Sequence, residues 1–348
     1  MLAGAILLVG QSSSEPHWPG DLCARPTELG VLGANPIVCL EVLGQSVLDR
    51  LVQRLLQDGI QLITVVMRSS FSQLVHIPSI ARVRINPIPS PIDLWSAAEC
   101  VVREYVDHGV ELVLLTQLGA YTDLDCADLI RFHREKQQGL TTVAKDGDSL
   151  DSWLISAHEA RKTQRMGLRG LVDQEDLAGR TPYSLPGYVR RLNDASDLRA
   201  LVTDGFLSLS PLRPKGREVK PGVWFGDAVR VHSRARIVAP AYLGCETMLR
   251  ADTLVTRFST VERGCDIREN TVIEDTSVLP NTRVGKGLNV AHTVVDGNKL
   301  FPLRQPIVVE IQDSRFLGRT LPLEAANSAG RGADSPSLAQ RLLATAWY

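Results

Sequence analysis

The apolar run Ala5-Ile6-Leu7-Leu8-Val9 ends at Gly10 and opens into Gln11, Ser12, Ser13, Ser14 and Glu15. A strand that breaks at glycine into small polar residues is where α/β proteins bring backbone N–H groups up to a phosphate. Gly10, Gln11, Ser12 and Ser13 are therefore the candidate nucleotide contacts, and the plainer reading of the serines is a solvated loop. Glu15 places a carboxylate where phosphate would approach, and Arg25, further along the chain, could stand in for a phosphate-neutralising arginine. Two aspartates further on, Asp123 and Asp125, could serve a metal or cap the helix that follows them. His232 and His292 are general-base candidates for acyl transfer, against the plainer reading of solvated surface histidines. The six cysteines, at 23, 39, 100, 126, 245 and 265, include no CxxC pair, which argues against a zinc knuckle and a disulfide framework and for reduced thiols.

The elements that must position these residues follow a strand–helix alternation. Short apolar runs at residues 5 to 9, 62 to 67 and 112 to 115 read as strands covered on both faces. Residues 46 to 60 place Val47, Leu48, Leu51, Val52, Leu55 and Leu56 at helical spacing, with Ser46 as cap and Gly59 as stop. A second helix is expected over 92 to 108 with Trp95, Ala98, Val101, Val102 and Tyr105 inward. A third starts at Asp123 or Asp125 and stops at Gly139. This order predicts a doubly wound, Rossmann-like parallel sheet in an α/β domain over 1–215, with its boundary in the Pro-rich segment near Lys215.

Beyond that boundary the apolar residues recur every sixth position: Phe225, Val231, Ile237, Leu243, Leu249, Val255, Val261, Ile267, Ile273 and Leu279. Neither a helix nor a flat strand has that period. The pattern predicts a hexapeptide-repeat solenoid over 216–310, these ten side chains stacked inside as its core and the register slipping by one after Leu279. Residues 311–348 read as an Ala/Gly/Ser-rich linker and a short amphipathic tail, with Leu338, Leu342, Leu343 and Trp347 on one side. The tail either is a disordered terminus or docks on this chain or a partner.

Lys plus Arg number 38 against 39 Asp plus Glu, so the chain has no electrostatic footprint for nucleic acid. No apolar stretch approaches the ~20 residues of a membrane span, and the first eleven residues lack the basic start of a signal peptide. The expectation is a cytoplasmic protein.

An α/β domain followed by a hexapeptide solenoid resembles the sugar-1-phosphate nucleotidyltransferase family, in particular the mannose-1-phosphate guanylyltransferase and glucose-1-phosphate nucleotidyltransferase types with a left-handed β-helix. "MLAGAILLVGQ" is similar to the family's opening strand, "PIVCLEVLGQSVLDRLVQRLLQDGI" follows its P-K-x-L-x-P-V-x-G-x-P segment and helix, and "LVLLTQLGAYTDLDCADLIRFHREKQQG" follows its strand ending in N-G-D. "GREVKPGVWFGDAVRVHSRARIVAPAYLG" and "SVLPNTRVGKGLNVAHTVVDGNKL" are similar to its β-helix. The resemblance implies attack of a sugar phosphate on the α-phosphorus of a nucleoside triphosphate, with cations and a carboxylate-held Mg²⁺ offsetting charge.

The positions that would carry this chemistry have changed. The family's lysine falls on Ile37, its metal aspartate on Gly119, and its glycine-rich first loop keeps Gly10 alone. Its E-K-P and N-A-G-x-Y types of motif have no counterpart here. The expected function is a catalytically degenerate, nucleotidyltransferase-like subunit that binds, regulates or scaffolds in nucleotide-sugar or polysaccharide biosynthesis, with no cofactor expected. The first alternative is an active enzyme with Arg25 and Asp123 as replacements and Mg²⁺ as cofactor; the second is a hexapeptide acyltransferase. Partners would be a nucleotide or nucleotide sugar, and a protein partner or further copies of the chain engaged through the solenoid and the tail.

Overall fold

A computed structural model describes residues 2–10, 30–74, 82–89, 92–173, 180–305 and 307–320. The chain is mixed α/β and divides into two compact units, Met1–Leu40 with Ser46–Asp194, and Glu41–Gln45 with Ala195–Tyr348. No closed barrel is formed among the described residues, and no described helix is long and apolar enough to cross a membrane.

The first unit is built on a seven-stranded sheet of β1 (Ala3–Val9), β2 (Leu62–Arg68), β3 (Val83–Ile88), β4 (Leu112–Gln117), β5 (Leu140–Lys145), β6 (Asp148–Ser156) and β7 (Tyr183–Ser184), in the order 7-5-6-4-1-2-3. Neighbours are parallel except β6, which runs antiparallel to both β4 and β5. Every side chain of β1 is buried, as an inner strand of a covered parallel sheet must be. The apolar runs at 5 to 9, 62 to 67 and 112 to 115 mark β1, β2 and β4. The hairpin of β5 and β6 and the polar edge strand β3 carry no comparable run.

Helices α1 (Val47–Gln57), α2 (Leu94–Asp107) and α3 (Cys126–Glu135) follow the expected periodicity. Ser46 Oγ accepts from Asp49 N at the start of α1, and Gly59, at φ 84°, ends it. Asp93 caps α2, whose Trp95, Ala98, Val101, Val102 and Tyr105 are buried as their spacing requires. α4 (Thr163–Asp173) is broken at Gly167, where Glu99 of α2 accepts from Leu168 N at 3.0 Å. α2 and α4 share one apolar cluster with β1, β2 and β4. At Gly4 a Cβ would lie 2.5 Å from the Tyr105 ring, so only glycine lets that ring lie flat on β1 while its hydroxyl meets Thr64 Oγ1 at 2.8 Å.

The second unit stacks short strands in three columns, each strand parallel to the one eighteen residues on. Val223–Phe225 pairs with Ala241–Leu243 and that with Ser259–Val261; Arg230–Val231 with Met248–Leu249 and then Asp266–Ile267; Arg236–Ile237 with Leu254–Thr256 and then Val272–Val278. Leu243, Leu249, Val255, Val261, Ile267 and Ile273 are all buried along one cluster, which is what a six-residue period buries when three short strands make one coil.

Four of the ten periodic positions depart from the expected core. Val231 is 36% exposed, and Phe225 and Ile237 are only half-buried; all three lie in the first coil, before which the described residues place no further coil. The slip falls before position 279: Val278, not Leu279, pairs with Val261, and the coil shortens to seventeen residues, so that Ile267 meets Val284 and Ile273 meets Val290. Leu279 is buried outside the main column. The shortening happens at a corner. The preceding coil turns through two residues in the left-handed region, Arg257 and Phe258, whereas the next turns through Asp275 alone at φ 43°.

Two expected boundaries also shift. α5 (Ala195–Phe206) belongs to the second unit, so the units divide before Ala195 rather than near Lys215. Buried Arg199 explains this, since it donates to Phe258 O at 3.1 Å, Ser277 Oγ at 3.0 Å and Asp275 Oδ1 at 2.7 Å. Residues 311 to 319, expected as linker, include the strand Leu317–Arg319, which pairs antiparallel with Thr282–Val284 and covers the last edge of its column. The amphipathic tail, with Leu338, Leu342, Leu343 and Trp347, lies outside the described residues.

Candidate functional site

In the first unit β1 is the strand at which chain order reverses. From β1 the chain moves outward to β2 and β3, then returns to place β4 on the other side of β1. In a doubly wound sheet the crevice outside the carboxyl ends at such a point is the expected ligand site. Here that crevice lies beyond Val9 and Gln117, at Gly10 and at Leu118 with Gly119.

Gly10 sits at φ 142°, and a Cβ there would come 2.9 Å from Leu94 Cδ1 and 3.6 Å from Arg68 Cγ. The glycine is required by the first turn of α2, and that close approach is apolar. Leu118 N donates to Leu8 O at 3.0 Å and its side chain is buried. Gly119 offers only backbone: its carbonyl accepts from Leu192 N at 2.9 Å, and the space where a side chain would begin is open. Arg68, at the end of β2, reaches back to donate to Ile92 O. It is the cation beside Gly10 that sequence reasoning missed, and its only signal was being the first charge after the run of β2. Gln11, Ser12, Ser13 and Arg25 lie outside the described residues.

Ile37 is fully buried in a short 3₁₀ turn, Ile37–Cys39, with its N–H donating to Gly30 O at 2.9 Å. An ammonium at this position would stand in the core rather than at the crevice. The residues that follow, Glu41–Gln45, belong to the second unit. There Leu43 N and Gly44 N each donate to a Glu262 carboxylate oxygen at 2.9 Å, and Arg263 donates to Glu41 Oε1 at 2.8 and 3.0 Å. Both ends of the segment that resembles the P-K motif are thus engaged in holding structure.

Asp123 is tied to α1, where Arg54 Nη1 donates to its Oδ1 at 2.7 Å. Asp125 caps α3, accepting from Ala127 N and Asp128 N. A magnesium ion needs several oxygen ligands without competing cations. Gly119 has no side-chain oxygen and Asp123 already neutralises Arg54, so these residues do not fit that ion.

The structure also separates the two histidines of the repeat. His232 lies in the first coil, its Nδ1 accepting from Arg234 N at 3.2 Å. His292 lies in the last, at φ 52°, with Nδ1 2.7 Å from Asp275 Oδ2. Asp275 thereby links His292 to the buried guanidinium of Arg199. Burial pushes its carboxyl up, but the hydrogen bonds and charges of Arg199 and His292 outweigh this and hold it below the ordinary aspartate range. A third histidine, His133 of α3, is buried with both ring nitrogens engaged, 2.7 Å from Thr141 Oγ1 and 2.7 Å from Ser156 Oγ. Burial first, then the charges of His158 and Arg134, lowers its pKa and keeps the ring neutral. It anchors α3 to the hairpin of β5 and β6, and nothing in its spacing announced that.

Among the described residues, the carboxyl ends of β1 and β4 therefore bring together the backbone of Gly10 and Gly119, the apolar side chains of Leu94 and Leu118, and the Arg68 side chain. No protein-family model matches the chain, and no curated protein does either.

Proposed function

We propose that this chain is a catalytically degenerate relative of the sugar-1-phosphate nucleotidyltransferases, acting in the cytoplasm as a binding, regulatory or scaffolding subunit in nucleotide-sugar or polysaccharide biosynthesis. On this reading the first unit is the nucleotidyltransferase-like domain and the second a left-handed parallel β-helix of hexapeptide repeats. The observation that carries it is Ile37. It takes the place of the family's lysine in the resembling segment and is 0% exposed, which supports a site absorbed into the core rather than merely altered. The Arg54–Asp123 pair argues in the same direction against the active alternative, because it occupies the aspartate that would have to replace the metal ligand. Acyl transfer has one observation in its favour, the His292–Asp275 pair, and a shift in melting with acyl-CoA would support it.

The test is turnover. Pyrophosphate release from the common nucleoside triphosphates with sugar 1-phosphates and Mg²⁺ is expected to stay at background. Turnover within about a hundredfold of an ordinary enzyme, on the order of 10 per second, would overturn the reading. In parallel, melting with nucleotides and nucleotide sugars is expected to show a raised midpoint for at least one of them, since a ligand at ~100 times its Kd adds about 2.7 kcal/mol to the folded state. A flat response to all would leave scaffolding as the function.

A further inference from the structure

The first coil of the second unit is where the columns begin, and it is left open. Among the described residues, Arg230–Val231 pairs on one side only, with Met248–Leu249, and Arg236–Ile237 only with Leu254–Thr256. The third strand of the coil, Val223–Phe225, is covered by Arg217–Lys220 running antiparallel to it. Lys220 also reaches Ile237 O at 2.6 Å and so blunts that edge. Among the described residues the Arg230–Val231 edge has no such cover. Val231 is 36% exposed, whereas Leu249, its counterpart one coil later, is 0% exposed.

Inside the stack, arginines are answered by carboxylates on the following coil: Arg234 by Asp252 at 3.0 Å, Arg250 by Asp266 at 3.0 Å and Arg257 by Glu274 at 2.8 Å. Arg230 and Arg236 are exposed, and among the described residues their guanidinium groups have no such partner. Residues 215 to 238 carry Lys215, Arg217, Lys220, Arg230, Arg234 and Arg236 against Glu218 and Asp227 alone. A strand docked on this edge would lie before the first coil, where six basic residues stand against two acidic ones, so carboxylates would complement the exposed Arg230 and Arg236 and an apolar side chain would cover Val231.

We propose that this open edge docks an acidic, extended strand of a partner protein, its backbone pairing with Arg230–Val231 and its carboxylates meeting Arg230 and Arg236. Strand addition to an exposed edge takes affinity from the backbone and specificity from alternate side chains. A second copy is the wrong occupant, because two-fold pairing of this edge would face Arg230 and Arg234 with the same arginines. The chain's own last segment is equally unsuited: residues 321 to 348 hold Glu324 and Asp334 against Arg331 and Arg341, a net charge of zero.

The experiment uses the full chain and a fluorescent peptide of alternating glutamate and valine, with a lysine–valine peptide as its charge-reversed partner. Saturable anisotropy is expected for the acidic peptide, weakening with salt and falling at least about tenfold in the R230E/R236E variant. That variant is expected to gain binding of the lysine–valine peptide. Both residues are exposed, so its circular dichroism should match the parent, and R230Q/R236Q repeats the loss with a milder change. No binding of the acidic peptide, or binding unaffected by either variant, would overturn the proposal. So would tighter, arginine-dependent capture of heparin, which would make the edge a polyanion site, or a dimer lost on replacing Val231, which would make the occupant a second copy.

Discussion

Ile37 and Ile267 are both fully buried, yet they were placed by different rules. Ile267 sits where a six-residue period demands an apolar side chain, between Leu249 on one coil and Val284 on the next. Ile37 sits in a 3₁₀ turn that no period specifies, at a position where the resembling family carries a cation. In the second unit the architecture repeats and each residue is checked by its neighbours. In the first, a single buried turn is set by packing alone and no repeat checks it. A repeat reports its own fold, whereas a single turn is fixed only by the packing around it.

The largest expected effect tests the repeat. Ile267→Asp should unfold the second unit, since an unpaired buried carboxylate costs several kcal/mol, while Val231→Asp, the same change at a 36% exposed position of the first coil, should stay within about 0.5 kcal/mol. Chemical denaturation followed by circular dichroism measures both. Equal losses would remove the distinction between inner and first coils.

The next effect falls on the short corner. Arg199→Met should cost about 2 kcal/mol by stripping the charge-assisted bonds to Asp275, Ser277 and Phe258 O. The sign of the pH dependence follows from Asp275, whose folded-state pKa is depressed. Its contribution is fully present above the unfolded value of ~3.9 and is lost as pH falls through the lower folded value. Acid denaturation of the parent should therefore be steeper below about pH 4 than that of Arg199→Met. Parallel acid curves would remove Asp275 from the corner's stability.

The smallest effect concerns the crevice. Gly119→Asp should change the melting midpoint little, because nothing lies within 4 Å of the added Cβ, and it should leave pyrophosphate release at background. Ile37→Lys should restore no turnover either and should destabilise the first unit, since its ammonium enters the core. Turnover from the double variant would show that the site had lost only two groups.

The elements with a strong period were legible in the chain itself. β1, β2, β4 and helices α1, α2 and α3 follow from apolar runs and 3.6-residue spacing, with caps at Ser46 and Asp125. The hairpin of β5 and β6 was not legible, because β6 opens with Asp148-Ser149-Leu150-Asp151-Ser152 and holds an apolar run of only three residues, and it contributes Trp153 to the core only through its antiparallel place between β4 and β5. The candidate site was legible as the positions Gly10, Ile37 and Gly119. It was illegible in Arg68, which tertiary structure alone brings beside Gly10.

Sequence by itself determined which residues seek the interior, since hydrophobic burial depends on side-chain type and its period needs no knowledge of the partner. It could not determine which polar groups meet, because ion pairs and hydrogen bonds act over a few ångströms between residues far apart in the chain. Arg199 with Asp275, Arg54 with Asp123, and Glu262 with the backbone of Leu43 and Gly44 were decided only by the fold. The same holds for the first coil. Its six-residue period matches that of its neighbours, and among the described residues it has no coil before it, which leaves Val231 exposed.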